Sequence, residues 1–286
     1  LHKEYRRQRQ MCIRDRRNAD LSFDEDEAED LLKEIEKSLK KRQWGEVIRL
    51  EVEYGIDKRL LAFLKDELRV ESEDDIFKIN GPIDLTYLMK MYGLEGCDDL
   101  RYKPYTPQPV PQIQQGESIF DAIKKGDILL HHPYQTFDPV VEFIRQAAKD
   151  PDVLAIKQTL YRVSGNSPII ASLAQAAENG KQVSVLVELK ARFDEENNIV
   201  WAKKLEKAGC HVIYGLVGLK THSKIALVVR REEEGICRYV HLGTGNYNDS
   251  TAKLYTDCGI FTCSEAIGED ATAVFNMLSL IHISEP

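Results

Sequence analysis

The spacing of apolar residues along the chain predicts which segments form helices and which form strands. In the first third, leucines and isoleucines at helical spacing predict a helix over 24–41, with acidic residues first and lysines last, as the helix dipole favours. Alternation over 47–52 predicts a strand, and further helices are expected over 58–67 and 85–91. We therefore expect a partial α+β helical domain over 17–108.

A proline-rich segment separates this region from the rest of the chain. The segment YKPYTPQPVPQ, residues 102–112, contains four prolines, which cannot continue a helix or a central strand. We expect the domain boundary here, followed by an α/β domain over 109–278.

Beyond the prolines, strand-like and helix-like segments alternate. Strands are expected at VLAIKQTLY, VSVLVELKA, HVIYGLV and IALVV, with helices from Ser167 and through Trp201. Ser167 followed by Pro168 is typical of a helix start, and Gly180 and Gly209 suit helix ends. Nearly continuously apolar strands alternating with helices indicate a parallel sheet that is covered on both faces.

The composition narrows the classes of function. The chain has 39 Lys and Arg against 47 Asp and Glu, and a net charge of -8 argues against nucleic-acid binding through a broad basic face. Its 6 cysteines, without CxxC spacing, indicate neither a structural zinc site nor a disulfide framework. Because the sequence shows no membrane-spanning stretch and no secretory signal pattern, we expect a cytoplasmic protein, either free or peripheral at the inner membrane.

Both ends of the chain differ in character from the rest. The segment RQRQMCIRDR, which ends at Arg16, and the tail LSLIHISEP, which starts at Leu278, read like translated sequencing-adapter sequence. Residues 1–16 and 279–286 are therefore set aside from the fold prediction. We expect the natural protein to extend in both directions.

Three basic residues recur at equal intervals near the predicted strand ends. Arg162, Arg192 and His222 lie thirty residues apart, about the length of one strand-helix-strand repeat. Because ligands of open α/β sheets bind outside the carboxyl ends of the strands, these side chains form a candidate anion site. The alternative is that the arginines are surface residues in ion pairs with Asp194 or Glu195.

His222 is the candidate nucleophile. It lies between Lys220 and Lys224 in GLKTHSKIALVV, and if this segment is extended the three side chains share one face. Neighbouring cations disfavour the imidazolium form, so the ring stays neutral and nucleophilic near pH 7. The lysines can then neutralise phosphoryl oxygens in the transition state. A lone His-x-Lys is a weak signal, and by itself it favours an ordinary polar strand edge.

A glycine-rich turn follows some twenty residues later. In HLGTGNYND, Gly243 and Gly245 allow tight turns, while Thr244 and Asn246 can bind oxyanions or orient the imidazole. His-x-Lys followed by such a turn resembles one half of the phospholipase D superfamily motif. Val229 occupies the position of that superfamily's aspartate.

Several longer strings, in the correct order, resemble one family. IKQTLYRV, VELKARFDEENNIVWAKKLEKAG, GLKTHSK and RYVHLGTGNYNDSTAKLYTD resemble the first catalytic C-terminal domain, phospholipase D-like in fold, of long-chain polyphosphate kinases. KRQWGEVIRLEVE with GPIDL resembles the end of their helical domain, so the similarity runs from about Arg17 to Leu278. The resemblance implies a fragment of a reversible ATP-polyphosphate phosphotransferase that works through a phosphohistidine with ping-pong kinetics.

The resemblance also implies roles for individual residues. The phosphorylated histidine falls on His222, the phosphate- and magnesium-associated arginines on Arg162 and Arg192, and an ATP-contacting tyrosine on Tyr255. From the residues alone, Tyr255 is equally compatible with the core. The implied cofactor is Mg²⁺, held through substrate phosphates, and the implied ligands are ATP, ADP and polyphosphate. The implied partners are the enzyme's other N- and C-terminal domains, in a homo-oligomer.

Two other functions remain open at this point. A phospholipase D-type phosphodiesterase or nuclease would use the same His-x-Lys chemistry, but it should carry the missing aspartate and a second His-x-Lys copy. A catalytically incomplete polyphosphate- or nucleotide-binding module is the other, since the chain would hold the nucleophile but only part of the site. The remaining histidines are expected to be structural or solvated, with the first two a weak candidate metal site: His131, His132, His211 and His241.

Overall fold

The computed structural model describes residues 13–19, 31–42, 44–103, 105–191, 194–215 and 219–280, apart from the side chains of Leu31 and Leu280. The chain divides into two compact units. The first contains the residues up to 104 except 25–32, and the second contains 25–32 and the residues from Tyr105 onward. The break between them falls within the proline-rich segment.

The first unit contains a three-stranded sheet. Its strands are β1 (Ile13–Arg17), β2 (Val47–Glu53) and β3 (Ile76–Ile79), and its helices are α1 (Leu31–Arg42), of which it contains the residues from Lys33 onward, α2 (Lys58–Leu68) and α3 (Tyr87–Met91). β2 lies in the centre, antiparallel to β1 and parallel to β3. Leu50 and Val52 of β2 are fully buried and pack with Leu61 and Leu64 of α2.

The elements predicted for this unit are observed with shifted ends. The helix expected over 24–41 begins at Leu31 among the described residues, and 24–30 lie outside them. α2 ends at Leu68 rather than at 67, and α3 begins at Tyr87 rather than at 85. β1 includes residues 13–16, which were set aside with the N-terminal segment. The origin of that segment stays a prediction.

The second unit is built on a seven-stranded sheet. Its strands are β4 (Ile128–His132), β5 (Val153–Leu160), β6 (Gln182–Val187), β7 (His211–Ile213), β8 (Lys224–Glu232), β9 (Gly235–Gly243) and β10 (Asp257–Thr262). Its helices are α4 (Ile119–Lys124), α5 (Asp138–Lys149), α6 (Pro168–Glu178), α7 (Glu195–Lys207) and α8 (Glu265–Leu280). The strand order is β4-β10-β9-β8-β5-β6-β7.

The strand directions correct the prediction of a parallel sheet. β5, β6 and β7 are parallel, because α6 and α7 carry the chain back to the end at which each strand starts. β8 is antiparallel to β5, and the described residues between β7 and β8 form no helix that could return the chain. β9, β10 and β4 continue the antiparallel pairing. The sheet is therefore mixed, and β8 starts at the end of the sheet at which β5 finishes.

Helices cover both faces of this sheet, as the apolar strands predict. On one face, the ring of Phe120 in α4 lies 4.9 Å from that of Tyr239 in β9, measured between centroids. On the other face, Phe275 of α8 packs with Leu227 of β8 and Val240 of β9. The predicted α/β fold class is confirmed.

The predicted helix ends are confirmed by their hydrogen bonds and backbone angles. At the start of α6, Ser167 Oγ accepts a hydrogen bond from the N–H of Ile170 at 3.4 Å, and Pro168 is the first helical residue. Gly180 and Gly209, which follow α6 and α7, have φ values of 83° and 94°. These left-handed angles favour glycine because it has no Cβ.

α8 closes the second unit. It has 16 residues and continues to Leu280, past the predicted domain end at 278. Its buried residues Ala271, Phe275 and Leu278 recur at helical spacing and face the sheet. Within the described ranges, no helix has both the length and the apolar character that crossing a bilayer requires.

Candidate active site

The predicted site residues meet where β5 ends and β8 begins, which we call the site end of the sheet. Arg162 follows β5 and His222 precedes β8, so the antiparallel pairing brings both to this end. Thr159 fastens the two segments: its Oγ1 donates to Ser223 O at 2.8 Å and accepts from the N–H of Ile225 at 3.1 Å. Arg162 and His222 are therefore close together, as expected. The reason differs from the predicted one, because His222 lies at the start of the antiparallel strand β8 and not at the end of a third parallel strand.

Tyr161 connects the basic side chains at the site end. The His222 ring stands edge-on to the Tyr161 ring, with 4.8 Å between centroids and 84° between planes. The guanidinium carbon of Arg162 and the Nζ of Lys224 lie 5.6 and 5.5 Å from the same ring centroid. An aromatic face attracts cations at such distances. Tyr161 was not predicted from the sequence to be a site residue. Its position directly before Arg162 was the signal that could have indicated it.

His222 is exposed, and its pKa lies below the ordinary value. Partial desolvation is the main cause, and the positive charges of Lys224 and then Arg162 lower the pKa further. The ring is therefore neutral at pH 7, with a nitrogen lone pair available for attack. The direction agrees with the prediction, although Arg162 replaces Lys220 as the second contributing cation.

The two lysines that flank His222 occupy different environments. Residues 220–223 form a loop, so the extended segment that would place all three side chains on one face is not observed. Lys220 is exposed in this loop, whereas Lys224 is only 6% exposed and its Nζ donates to His222 O at 2.5 Å. Burial lowers the pKa of Lys224, and Asp257 opposes this effect. Lys224 is a fixed cation beside His222, and Lys220 is a surface cation.

Arg162 forms the ion pair that the sequence offered as the alternative to anion binding, and it also lies at the site end. Its Nε lies 3.0 Å from Asp194 Oδ2, and the two side chains are 39% and 30% exposed. A partly exposed ion pair of this kind contributes only about 1 kcal/mol or less. A phosphate at the site end can therefore compete with Asp194 for the guanidinium. Arg192, the other predicted arginine, lies outside the described residues.

Hydrogen bonds between Thr244 and the first residues of β10 hold the turn after β9. Thr244 Oγ1 donates to Asp257 Oδ1 at 2.9 Å and accepts from the N–H of Cys258 at 3.0 Å. Since the hydroxyl proton is used within the protein, this geometry favours a supporting role for Thr244 over oxyanion binding. Asn246 Oδ1 is buried and accepts no hydrogen bond from the described residues.

The glycines of this turn are needed for space. A Cβ on Gly245 would lie 2.5 Å from Asp257 Oδ2, so a side chain there would displace the carboxylate that holds Thr244. Neither Gly243 nor Gly245 has a left-handed φ angle. The predicted reason, conformational freedom for a tight turn, is therefore wrong, and close packing against Asp257 explains Gly245.

Tyr255 lies on the surface. It is 63% exposed and follows the short 3-10 turn Thr251–Lys253, where its N–H donates to Thr251 O at 3.0 Å. The alternative interpretation of Tyr255 as a core residue is wrong. Its described contacts do not include His222 or Arg162, so the predicted contact with ATP stays a prediction.

Two of the other histidines are buried. The Nδ1 of His132 lies 3.0 Å from Gln135 O, and the Nδ1 of His241 lies 3.0 Å from the Tyr247 hydroxyl. Burial lowers the pKa of His241 to about 3. In the part of the chain that the structure describes, no three His, Cys, Asp or Glu residues group as metal ligands. Nothing there supports a metal site at 131–132.

Glu188, which was missed in the sequence, contacts the loop that carries His222. Its side chain is fully buried directly after β6. Oε2 accepts the N–H of Thr221 at 2.7 Å, and Oε1 accepts that of Lys190 at 3.0 Å. Asn198 Nδ2 donates to Glu188 O at 2.9 Å. The available signal was a carboxylate directly after an apolar strand, in VSVLVELK.

Comparisons with known proteins identify the family. The sequence model described as polyphosphate kinase C-terminal domain 1 matches residues 118–283, and that of the polyphosphate kinase middle domain matches residues 1–91. The chain belongs to the polyphosphate kinase family. The two matches fall on either side of the proline-rich segment.

Polyphosphate kinases of several bacteria resemble the chain over part of their length. The protein of Halalkalibacterium halodurans is 61% identical over 266 residues, which cover 92% of this chain and 38% of that protein. The protein of Exiguobacterium sibiricum is 59% identical over 282 residues, covering 98% and 39%. The crystal structure of polyphosphate kinase from Porphyromonas gingivalis matches with a TM-score of 0.69 and 29% identity, covering 96% of this chain and 38% of that one. The chain thus spans about 38% of the length of such polyphosphate kinases.

Proposed function

We propose that this chain is the nucleophile-bearing part of a polyphosphate kinase, which transfers the terminal phosphate of ATP reversibly to inorganic polyphosphate. The observation that carries the proposal is an exposed, neutral imidazole at His222, placed among the cationic groups of Lys224 and Arg162. Membership of the polyphosphate kinase family supplies the class of reaction.

The reaction proceeds through two displacements at phosphorus. In the first, the neutral imidazole nitrogen of His222 bonds to the γ-phosphorus of ATP while the bond to the β,γ-bridging oxygen breaks and ADP leaves. In the second, a terminal oxygen of polyphosphate attacks the phosphohistidine, and the imidazole leaves neutral. Both steps are reversible, and ping-pong kinetics follow from the covalent intermediate.

The surrounding cations stabilise the charge on the transferred group. The transition state spreads negative charge over three equatorial oxygens, so catalysis depends on positioning and on electrostatic stabilisation. Lys224 is already fixed beside His222, and Arg162 offers a guanidinium fork that matches two phosphate oxygens. Arg192 and Lys220 are proposed to bind further phosphates, with Thr244 and Asn246 supporting the site.

Magnesium is proposed to arrive with the nucleotide. Guanidinium and ammonium groups have donors only, so Arg162 cannot ligate a cation and acts on it only through shared phosphates. Mg²⁺ commonly binds substrate phosphates while it keeps several waters, and in this role it would neutralise charge on the triphosphate. The exposed ring of Tyr255 is proposed to contact ATP from outside the sheet.

The rest of the enzyme is proposed to complete the site. Because the chain spans only 38% of the length of its relatives, phosphate- and adenine-binding groups are expected from the other N- and C-terminal domains, in a homo-oligomer. A cytoplasmic location, where ATP is supplied, fits this activity. The isolated chain is expected to bind polyphosphate with an affinity that falls as salt rises, and to turn over ATP poorly.

Labelling with ATP that carries ³²P at the γ-position tests the proposal. The chain alone, and the same chain joined to the flanking parts of a full-length relative, are incubated with Mg²⁺ and labelled ATP. We expect an acid-labile, base-stable protein label in the joined form that polyphosphate removes. Absence of this label, with polyphosphate binding retained, would leave a binding module. Cleavage of a phosphodiester substrate instead would indicate a phosphodiesterase.

A further inference from the structure

The loop 219–223, which carries His222, depends on other parts of the second unit for its conformation. Its residues 220–223 form neither helix nor strand, and three side chains from two segments hold it by hydrogen bonds. Lys190 Nζ donates to Leu219 O at 2.9 Å, and Thr159 Oγ1 binds Ser223 O at 2.8 Å. Between these two anchors, the N–H of Thr221 donates to Glu188 Oε2 at 2.7 Å.

The Glu188 carboxylate is placed to act on this loop. It is fully buried, and its two oxygens accept one backbone N–H each, from Lys190 and from Thr221. A Cβ on Gly215 would lie 3.5 Å from both carboxylate oxygens, so the chain leaving β7 also runs close to the carboxylate. A buried carboxylate is unfavourable unless it is hydrogen-bonded, and its bonds to N–H donors are among the stronger ones.

The backbone of Glu188 is itself held firmly. Its N–H donates to Leu160 O at 2.9 Å, at the end of β5. Asn198, which is 1% exposed, donates from Nδ2 to Glu188 O at 2.9 Å and to Tyr161 O at 2.7 Å. A continuous set of hydrogen bonds therefore runs from the end of β5, through Glu188, to the residue that precedes His222.

We infer that Glu188 is a positioning residue for phosphoryl transfer, whose carboxylate fixes Thr221 and thereby holds the His222 ring against Tyr161 and beside Arg162. The inference rests on the proposed role of His222 as nucleophile. Glu188 does not contact the substrate: it acts through one backbone N–H. Small displacements of a nucleophile from its reactive geometry slow a reaction strongly, so the effect on rate is expected to exceed the effect on stability.

Two carboxylate-to-amide substitutions separate positioning from general stability. Glu188→Gln keeps the size of the side chain but leaves one acceptor oxygen, so the amide nitrogen must face a backbone N–H. Glu232→Gln is the matched control, since Glu232 lies at the opposite end of β8 and its side chain is only 15% exposed. Glu188→Asp, which keeps the charge with a shorter reach, is expected to give an intermediate effect.

The test measures phosphorylation and loop geometry separately. His222 phosphorylation is followed with labelled ATP and with phosphoramidate, a small donor that needs no nucleotide site. The titration of His222 and the exchange of the Thr221 amide are followed by NMR. We expect Glu188→Gln to slow labelling by about tenfold or more, to raise the pKa of His222 towards its ordinary value, and to speed exchange of the Thr221 amide. Glu232→Gln should lower Tm and leave the labelling rate, the pKa of His222 and the exchange of the Thr221 amide at wild-type values.

The outcomes distinguish this inference from the proposed function. Wild-type labelling, titration and exchange in Glu188→Gln would overturn the positioning role. No label from either donor in the wild-type chain joined to its flanking parts would overturn the proposed function, while titration and exchange would still decide whether Glu188 fixes the loop. If Glu188→Gln does not fold, Glu188→Asp decides by the same three measurements.

Discussion

The two ends of the seven-stranded sheet are both charged, but only one of them is balanced. At the far end, where β8 finishes, Arg230 Nε lies 2.9 Å from Asp150 Oδ2 and its Nη1 lies 2.5 Å from Glu232 Oε1. Glu232 also accepts hydrogen bonds from Lys124 and Tyr239. At the site end, where β8 begins, His222 and Lys224 lie beside Arg162, whose Nε pairs with the partly exposed carboxylate of Asp194.

The pKa shifts of the ionisable groups reflect this difference between the two ends. At the far end, burial alone would raise the pKa of Glu232, but hydrogen bonds from Lys124, Tyr239 and Arg230 lower it to about 2. At the site end, burial lowers the pKa values of His222 and Lys224, and the charges of Lys224 and Arg162 lower that of His222 further. At the far end Lys124, Arg230 and Glu232 are stabilised in their charged forms, whereas the site end holds cations that an anionic ligand would stabilise. Such imbalance is typical of functional sites.

Removing the proposed nucleophile, His222, should have the largest effect. His222→Ala is expected to reduce acid-labile labelling of the joined enzyme by at least about a thousandfold, since no other group takes its covalent role. His211→Ala, at an exposed histidine on β7, is the control and should label at the wild-type rate. Undiminished labelling in His222→Ala would place the nucleophile elsewhere.

Breaking the balanced far end should affect stability and leave the chemistry intact. Arg230→Met removes the partner of Asp150 and Glu232, and we expect the free energy of unfolding to fall by about 3–5 kcal/mol in urea denaturation. The labelling rate per folded molecule should not change. Arg231→Met, at the exposed neighbour, should change stability by less than about 0.5 kcal/mol. If Arg230→Met and Arg231→Met had the same free energy of unfolding, the ion pairs of Arg230 with Asp150 and Glu232 would make no specific contribution to stability.

Arg162→Lys tests whether the exposed ion pair or phosphate binding explains this arginine. We expect turnover to fall by about 100-fold, because an ammonium cannot replace a guanidinium fork on phosphate. Stability should change by less than about 1 kcal/mol. The control is Arg145→Lys, since Arg145 is an exposed arginine that pairs with Glu142 on α5. Matching kinetics for the two variants would return Arg162 to the role of a surface ion pair.

One ionisable group at each end of the sheet should make the free energy of unfolding depend on pH, and the two pH ranges differ. His241, buried beneath the turn at the site end, has a pKa lowered to about 3. The unfolded chain therefore binds a proton below pH 6.5 that the folded chain does not, and stability falls by up to about 1.4 kcal/mol per pH unit as the pH drops from 6.5 towards 3. The lowered pKa of Glu232 stabilises the folded chain above pH 4.5, and this contribution is lost between 4.5 and 2.

Urea denaturation between pH 7 and 5 separates the two contributions. His241→Gln should flatten the pH dependence in this range, while Glu232→Gln should lower stability without changing the slope. The slopes are compared rather than the absolute stabilities, because both substitutions alter packing. An unchanged slope in His241→Gln would show that this buried imidazole does not set the acid sensitivity.

Local patterns in the sequence predicted most of the elements. The apolar spacing of β5, β6 and α2, and the caps at Ser167 and Gly180, depend on residues that lie within one or two turns of each other. Such signals can be interpreted in a short window of sequence, because side-chain direction in helices and strands follows fixed periods. The thirty-residue spacing also predicted that Arg162 and His222 meet at one end of the sheet, and they do, although the antiparallel start of β8 brings His222 there and not a third parallel strand end.

The tertiary structure alone decided the direction of β8 and the support of the site. An apolar strand has the same pattern in either direction, so IALVV could not show that β8 runs antiparallel to β5. The contact between Glu188 and Thr221 joins residues 33 positions apart, and Tyr161 meets His222 only through strand pairing. A hydrogen bond between distant segments leaves no periodic trace in either segment, because only the folded sheet brings donor and acceptor together.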